Sequence, residues 1–139
     1  MLHDRLIEAV AAHVKLLDEA VDRGVALDDV FELYGVLHAL QIHAQAAMDY
    51  LLHTCSILGR SVETPLRCVD VLHREGLLGE QDARLLKKMI RFRNIVVHQY
   101  GAIDVEKVEK ILASRGYREV LRILTTLHTK LKERGAADP

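Results

Sequence analysis

The stretch DDVFELYGVLHALQIHAQAAMDYLLHTCSILG, residues 28–59, decides the fold class. Val30, Leu33, Leu37, Leu40, Ala44, Ala47, Leu51 and Cys55 recur every three or four residues, which is the repeat of one helix face. Asp28 is the N-cap candidate and Gly59 the stop. A helix of about thirty residues exceeds most globular helices and suits the long member of a bundle. Alanines at 39, 44, 46 and 47 let a second backbone approach it closely.

The same period runs outward in both directions. Leu2, Leu6, Val10, Val14, Leu17 and Val21 predict a helix over about Asp4–Arg23 that stops at Gly24. Beyond the connection GRSVETP, Thr64 caps a weaker amphipathic segment, Pro65 to Arg74, with proline in the first turn. A fourth helix follows over Glu80–Val97, with Leu85, Leu86, Met89, Phe92 and Val96 facing the core. QYGAID breaks it, Asp104 caps the next, and a last helix from Tyr117 carries Val120, Leu121, Leu124, Leu127 and Leu131. Residues 135–139, GAADP, are expected to fray. No strand-like alternation competes. The expectation is an all-α antiparallel bundle, a four-helix core plus a short additional helix, in one domain over residues 1–134.

Composition narrows the function classes. With 19 Lys+Arg against 20 Asp+Glu the formal charge is −1, which excludes a histone-like polycation. No apolar run reaches membrane-spanning length, and MLHDRLIEAV lacks the basic start and apolar core of a signal peptide. Cys55 and Cys68 match neither a zinc spacing nor a disulfide scaffold, so both are read as reduced core residues of a cytoplasmic protein. The near-neutral total hides one asymmetry. From Ala83 to Ile103 stand Arg84, Lys87, Lys88, Arg91 and Arg93 with no acidic residue, a +5 segment offset by −6 elsewhere. Partner binding is sought there, although a solvated face is the plainer reading of the lysines and of Arg84 and Arg91.

That basic helix ends in Arg91-Phe-Arg-Asn-Ile-Val-Val-His-Gln-Tyr100. Asn94 and His98, four apart, share a helix face, whereas Arg93 and His98, five apart, lie about 140° apart around an ideal helix. Either the last turn is distorted near Gly101, or a second copy of the helix completes the site across a two-fold axis. The residue types suit proton transfer beside an anion. An imidazole with an ordinary pKa of about 6.5 moves protons near neutrality. A guanidinium fork holds a non-bridging phosphate oxygen. Taken alone, Arg93 and His98 also read as a helix C-terminal pair, with His98 capping.

The phrase Arg93-Asn94-Ile95-Val96-Val97-His98-Gln99-Tyr100, with its flanks Leu85-Leu86 and Ile103-Asp104, resembles the HEPN superfamily and within it the HepT-like toxin ribonucleases. The resemblance covers about Leu2 to Leu131. It implies a two-fold homodimer, itself sometimes part of a larger complex, acting as the toxin of a type VII toxin–antitoxin pair. The implied activity is a metal-independent endoribonuclease without a cofactor, cleaving by attack of the ribose 2′-OH to leave a 2′,3′-cyclic phosphate. His98 would transfer protons, Arg93 hold the phosphate, Asn94 orient either, and Asp49 support Arg93 or Asn94. Arg84, Lys87, Lys88 and Arg91 would touch RNA. The implied partner is an ATP-using minimal nucleotidyltransferase antitoxin that adds AMP to Tyr100, filling the cleft with negative charge. Relatives often carry an acidic residue where this chain reads Ile42-His43-Ala44-Gln45.

Plainer alternatives stand beside these. Some HEPN relatives are non-catalytic binding modules that partner a nucleotidyltransferase, and Tyr100 also reads as a core or interface aromatic. His3, His13, His53, His73 and His128 are expected at or near the surface. His38 and His43, five apart, make a poor metal pair, so no metal site is expected.

Overall fold

The computed structural model describes residues 1–98 and 103–138, and for Val97 and His98 only the helix that carries them. Among the described residues six helices follow one another: α1 (Leu2–Asp22), α2 (Val30–Ile57), α3 (Pro65–Arg74), α4 (Glu80–His98), α5 (Val105–Ser114) and α6 (Gly116–Glu133). The all-α expectation holds, but the described helices number six rather than four plus one. No helix among the described residues is long and apolar enough to cross a membrane.

Local chemistry sets the helix ends. Asp29, one residue later than the cap read from the sequence, starts α2, its Oδ1 accepting from the backbone N–H of Phe31 at 2.9 Å and Glu32 at 3.1 Å. Thr64 caps α3 with Pro65 behind it, and Asp104 caps α5 through Glu106 N–H. Gly24 and Gly59 close α1 and α2 at φ +69° and +72°, a region that a Cβ disfavours. Arg115 takes the same left-handed conformation without being glycine and turns α5 directly into α6. Its guanidinium reaches Asp18 at 3.1 Å and Asp22 at 2.7 Å on α1, and these contacts hold the corner.

The long α2 is the axis of the bundle, touching α1, α3, α4 and α6, while α5 lies against α6 and α1. Its buried residues include Leu37, Leu40, Ala44, Ala47, Leu51 and Cys55, six of the eight in the sequence repeat. All but Ala44 join Val10 and Leu17 of α1, Leu86 and Ile90 of α4, and Leu124 and Leu127 of α6 in one core. Leu51 and Leu124 are fully enclosed, and truncating either to alanine would cost about 2–5 kcal/mol.

Three expectations fail in this core. Cys55 and Cys68 are both buried, but they are joined as a disulfide that ties the end of α2 to α3. The helices cross so that the two Cα atoms come within 6.3 Å, a proximity invisible in a spacing of thirteen residues. The inference of a reducing compartment from free thiols therefore loses its basis. His3 and His128 are buried, not superficial. The tail also does not simply fray, because Ala136 and Ala137 pack on the core and Asp138 binds the start of α1.

Candidate active site

Residues 91–98 are the last two turns of α4, and α2 runs beside them. Arg93 is half-buried. Its Nη2 donates to Oε1 of Gln45 on α2, and its Nη1 lies 3.4 Å from Oδ1 of Asn94. Gln45 in turn donates through Nε2 to Oδ1 of Asp49 at 2.9 Å, one turn further along α2. The result is a relay: Asp49 orients the Gln45 amide, and the oriented amide oxygen fixes the Arg93 guanidinium. Asp49 thus supports Arg93 through Gln45 rather than by direct contact. The Arg93 Nε–H is buried and, among the described residues, has no acceptor. A neutral amide as anchor leaves the full positive charge of Arg93 uncompensated, which a carboxylate there would not.

Gln45 is the site residue that sequence reasoning noticed only as a departure from the family. Its i,i+4 relation to Asp49 was readable as a helix-face pair. Its contact with Arg93, 48 positions away, was not. His43, the other departure, turns elsewhere. Its Nε2–H donates to the Tyr117 carbonyl of α6 at 3.0 Å. Burial lowers its pKa to about 4, with the backbone bond opposing and His13 adding slightly, so it stays neutral. It braces the bundle beside the site and is no proton carrier at neutral pH.

The basic segment divides into two sets. Arg84 pairs with Glu80 at 2.9 Å on the solvent face, and Lys87 pairs with Asp70 of α3. Arg91 and Lys88 are exposed and, among the described residues, have no ion-pair partner. The cations nearest the end of α4 are therefore Lys88, Arg91 and Arg93. α4 is α-helical through His98, so Asn94 and His98 stand one turn apart along it and Arg93 is offset by the five-residue angle. The His98 side chain and Tyr100 lie outside the described residues.

A protein-family model described as ribonuclease HepT-like matches residues 7–127, most of the chain. The chain belongs to the HepT-like ribonuclease family. Two proteins of Archaeoglobus fulgidus, each assigned as an RNase by inference, are similar to it. One is 32% identical over 108 residues, covering 78% of this chain and 80% of the relative. The other is 29% identical over 87 residues, covering 63% and 66%. Among solved structures, a tri-AMPylated HEPN toxin of Shewanella oneidensis in complex with an MNT antitoxin superposes with a TM-score of 0.79. It is 18% identical and covers 89% of this chain and 96% of that one. A toxin–antitoxin with AMP-PNP gives the same TM-score at 17% identity, covering 88% and 97%. These likenesses establish the HEPN-like helical fold of this HepT-like chain.

Proposed function

We propose that this HepT-like ribonuclease is the toxin of a toxin–antitoxin pair and cleaves RNA without a metal ion. The observation that carries the reading is the Arg93 relay. A family ribonuclease motif sits at the end of the basic helix, and its arginine is held by a neutral amide that keeps the charge available. Arg93 binds a non-bridging phosphoryl oxygen and stabilises the charge that develops there. His98 takes the ribose 2′-OH proton or protonates the departing 5′-oxygen. The 2′-oxygen attacks phosphorus, the bond to the 5′-oxygen breaks, and the products are a 2′,3′-cyclic phosphate and a 5′-hydroxyl.

The five-residue offset between Arg93 and His98 supports a two-fold homodimer, in which one copy's Arg93 works beside the other's His98. The solved relatives, one AMPylated and held by an MNT antitoxin, support the same regulation here, with Tyr100 as acceptor of AMP from an ATP-using nucleotidyltransferase. Phosphates added two residues past His98 would repel the RNA backbone and occupy Arg93.

Purified wild-type protein and H98A, incubated with end-labelled RNA in EDTA, test the assignment. Wild type is expected to yield cyclic-phosphate ends and H98A none. RNA left intact by wild type, or equal cutting by H98A, overturns it. Co-expression with a neighbouring nucleotidyltransferase should add the mass of one or more AMP units to wild type and none to Y100F.

A further inference from the structure

Where the start of α1, the second half of α2 and the C-terminal segment meet, polar side chains gather in the core. His3 is fully buried, and its Nδ1 lies 3.2 Å from Oδ1 of Asp138. His53 Nε2 lies 2.9 Å from the other oxygen of the same carboxylate. The two imidazole rings are 4.6 Å apart. Asp138 also accepts from the backbone N–H of Leu2 at 2.9 Å and lies 2.9 Å from the amine of Met1.

The tautomer of His3 follows from its surroundings. The Thr54 hydroxyl donates to the Tyr50 carbonyl at 2.8 Å, so its oxygen is left to accept, and His3 Nε2–H is the donor at 2.9 Å. In the neutral ring this leaves a lone pair on Nδ1 pointing toward an anionic carboxylate oxygen. The Asp138 N–H approaches Nδ1 only at 3.4 Å. Nδ1 thus has one long bond from that N–H, the facing Oδ1 is shared with the Met1 amine, and burial works against a second proton on His3.

We propose that His3 Nδ1, His53 Nε2 and the Asp138 carboxylate form a binding site for a first-row divalent cation of the zinc class. The three donor atoms lie within 4.8 Å of one another. A tetrahedral zinc ion with bonds of about 2.0–2.1 Å has donor–donor edges of about 3.3 Å; each imidazole already stands at 3.2 or 2.9 Å from one carboxylate oxygen, and the set, up to 4.8 Å across, closes onto the ion by rotation of the half-buried His53. Two imidazoles and one carboxylate are a donor set that zinc accepts, with water as the fourth ligand. The outer contacts fit as well. A ligating histidine characteristically donates its other ring N–H to a fixed acceptor, and the His3–Thr54–Tyr50 chain is such an arrangement. The cation would cross-link α1, α2 and the tail. It is separate from the Arg93 relay: Gln45 and His53 are eight residues apart on α2, about 12 Å along the helix. RNA cleavage does not draw on it.

Full-length protein without a polyhistidine tag, stripped with EDTA and dialysed, is titrated with Zn2+ by calorimetry and with Co2+ by visible absorption. One ion per chain is expected, with cobalt bands of low coordination number and a Zn2+-dependent rise in Tm. His53→Ala and Asp138→Asn, both checked for folding by circular dichroism, should lose at least tenfold in affinity. Thr54→Val, which touches no metal, should lose about tenfold through the freed imidazole. His38→Ala should bind as wild type. Substoichiometric binding by wild type, or unchanged affinity in both H53A and D138N, overturns the proposal.

Discussion

The guanidinium of Arg93 on α4 is held by the side-chain amide oxygen of Gln45 on α2, which is itself oriented by Asp49. Arg93→Ala should reduce RNA cleavage by about 10²–10³-fold, the usual loss when a charge-stabilising donor is removed. Arg93→Lys should recover little, because an ammonium cannot span both the amide and a phosphate oxygen. Gln45→Glu should keep the fold yet raise KM about fivefold, since an ion pair of about 1 kcal/mol would then compete with the phosphate. Wild-type kinetics in Q45E would show that the amide does not govern Arg93.

His43 makes the stability of the protein depend on pH. Its folded pKa of about 4 lies below the ordinary 6.5, so between these values the unfolded chain binds more protons. Stability from this residue is full above about pH 6.5 and is lost as pH falls toward 4, by about 3 kcal/mol in total. Urea unfolding of wild type and His43→Gln from pH 7 to 4 isolates it. The glutamine variant keeps a donor for the Tyr117 carbonyl and should show a flatter profile. Parallel profiles would mean that the histidine is not held neutral.

The Cys55–Cys68 bond closes a ring of about fifteen residues, worth about 3 kcal/mol in the loop-entropy account. Reduction with a phosphine should lower the urea midpoint of wild type and leave a Cys55→Ala/Cys68→Ala variant unchanged. Thiol titration of the denatured, unreduced protein should find no free sulfhydryl. Two free thiols there, or identical midpoints with and without reductant, would refute the bond.

Asp29 stands outside the core and acts only on the backbone at the start of α2. Asp29→Ala should therefore cost about 1 kcal/mol of stability and leave RNA cleavage unaltered, whereas Asp28→Ala should cost little. Chemical denaturation of the pair separates the two adjacent aspartates, which the sequence alone does not.

Helix positions were legible because they depend on neighbours in the chain. Pro65 and Thr64 marked α3, Asp104 marked α5, and the apolar repeat of α2 matched its buried face. What depended on distant partners was not legible. His3 and His128 are buried because α1, α2 and α6 bring them to Tyr50, whose hydroxyl is hydrogen-bonded to His128 Nδ1 at 2.8 Å. A histidine carries no mark of such a partner in its local sequence. Cys55 and Cys68 meet only through the crossing of α2 and α3. Within the site, the motif was plain from Arg93, Asn94 and His98, while the residue that sets the arginine in place lay 48 positions upstream.

The pairing of Lys87 with Asp70 and of Arg84 with Glu80 bears on how strongly ionic strength controls the encounter with RNA. Of the five cations in the segment, two are already matched within the chain, so on the proposed function Lys88, Arg91 and Arg93 would be the ones to displace counterions from the RNA. Three phosphate contacts on a single strand would give a log–log slope of affinity against salt of about −2 per chain, where five would give about −3.5. On that reading the internal pairs blunt general attraction to nucleic acid, and a larger share of the binding would depend on Arg93.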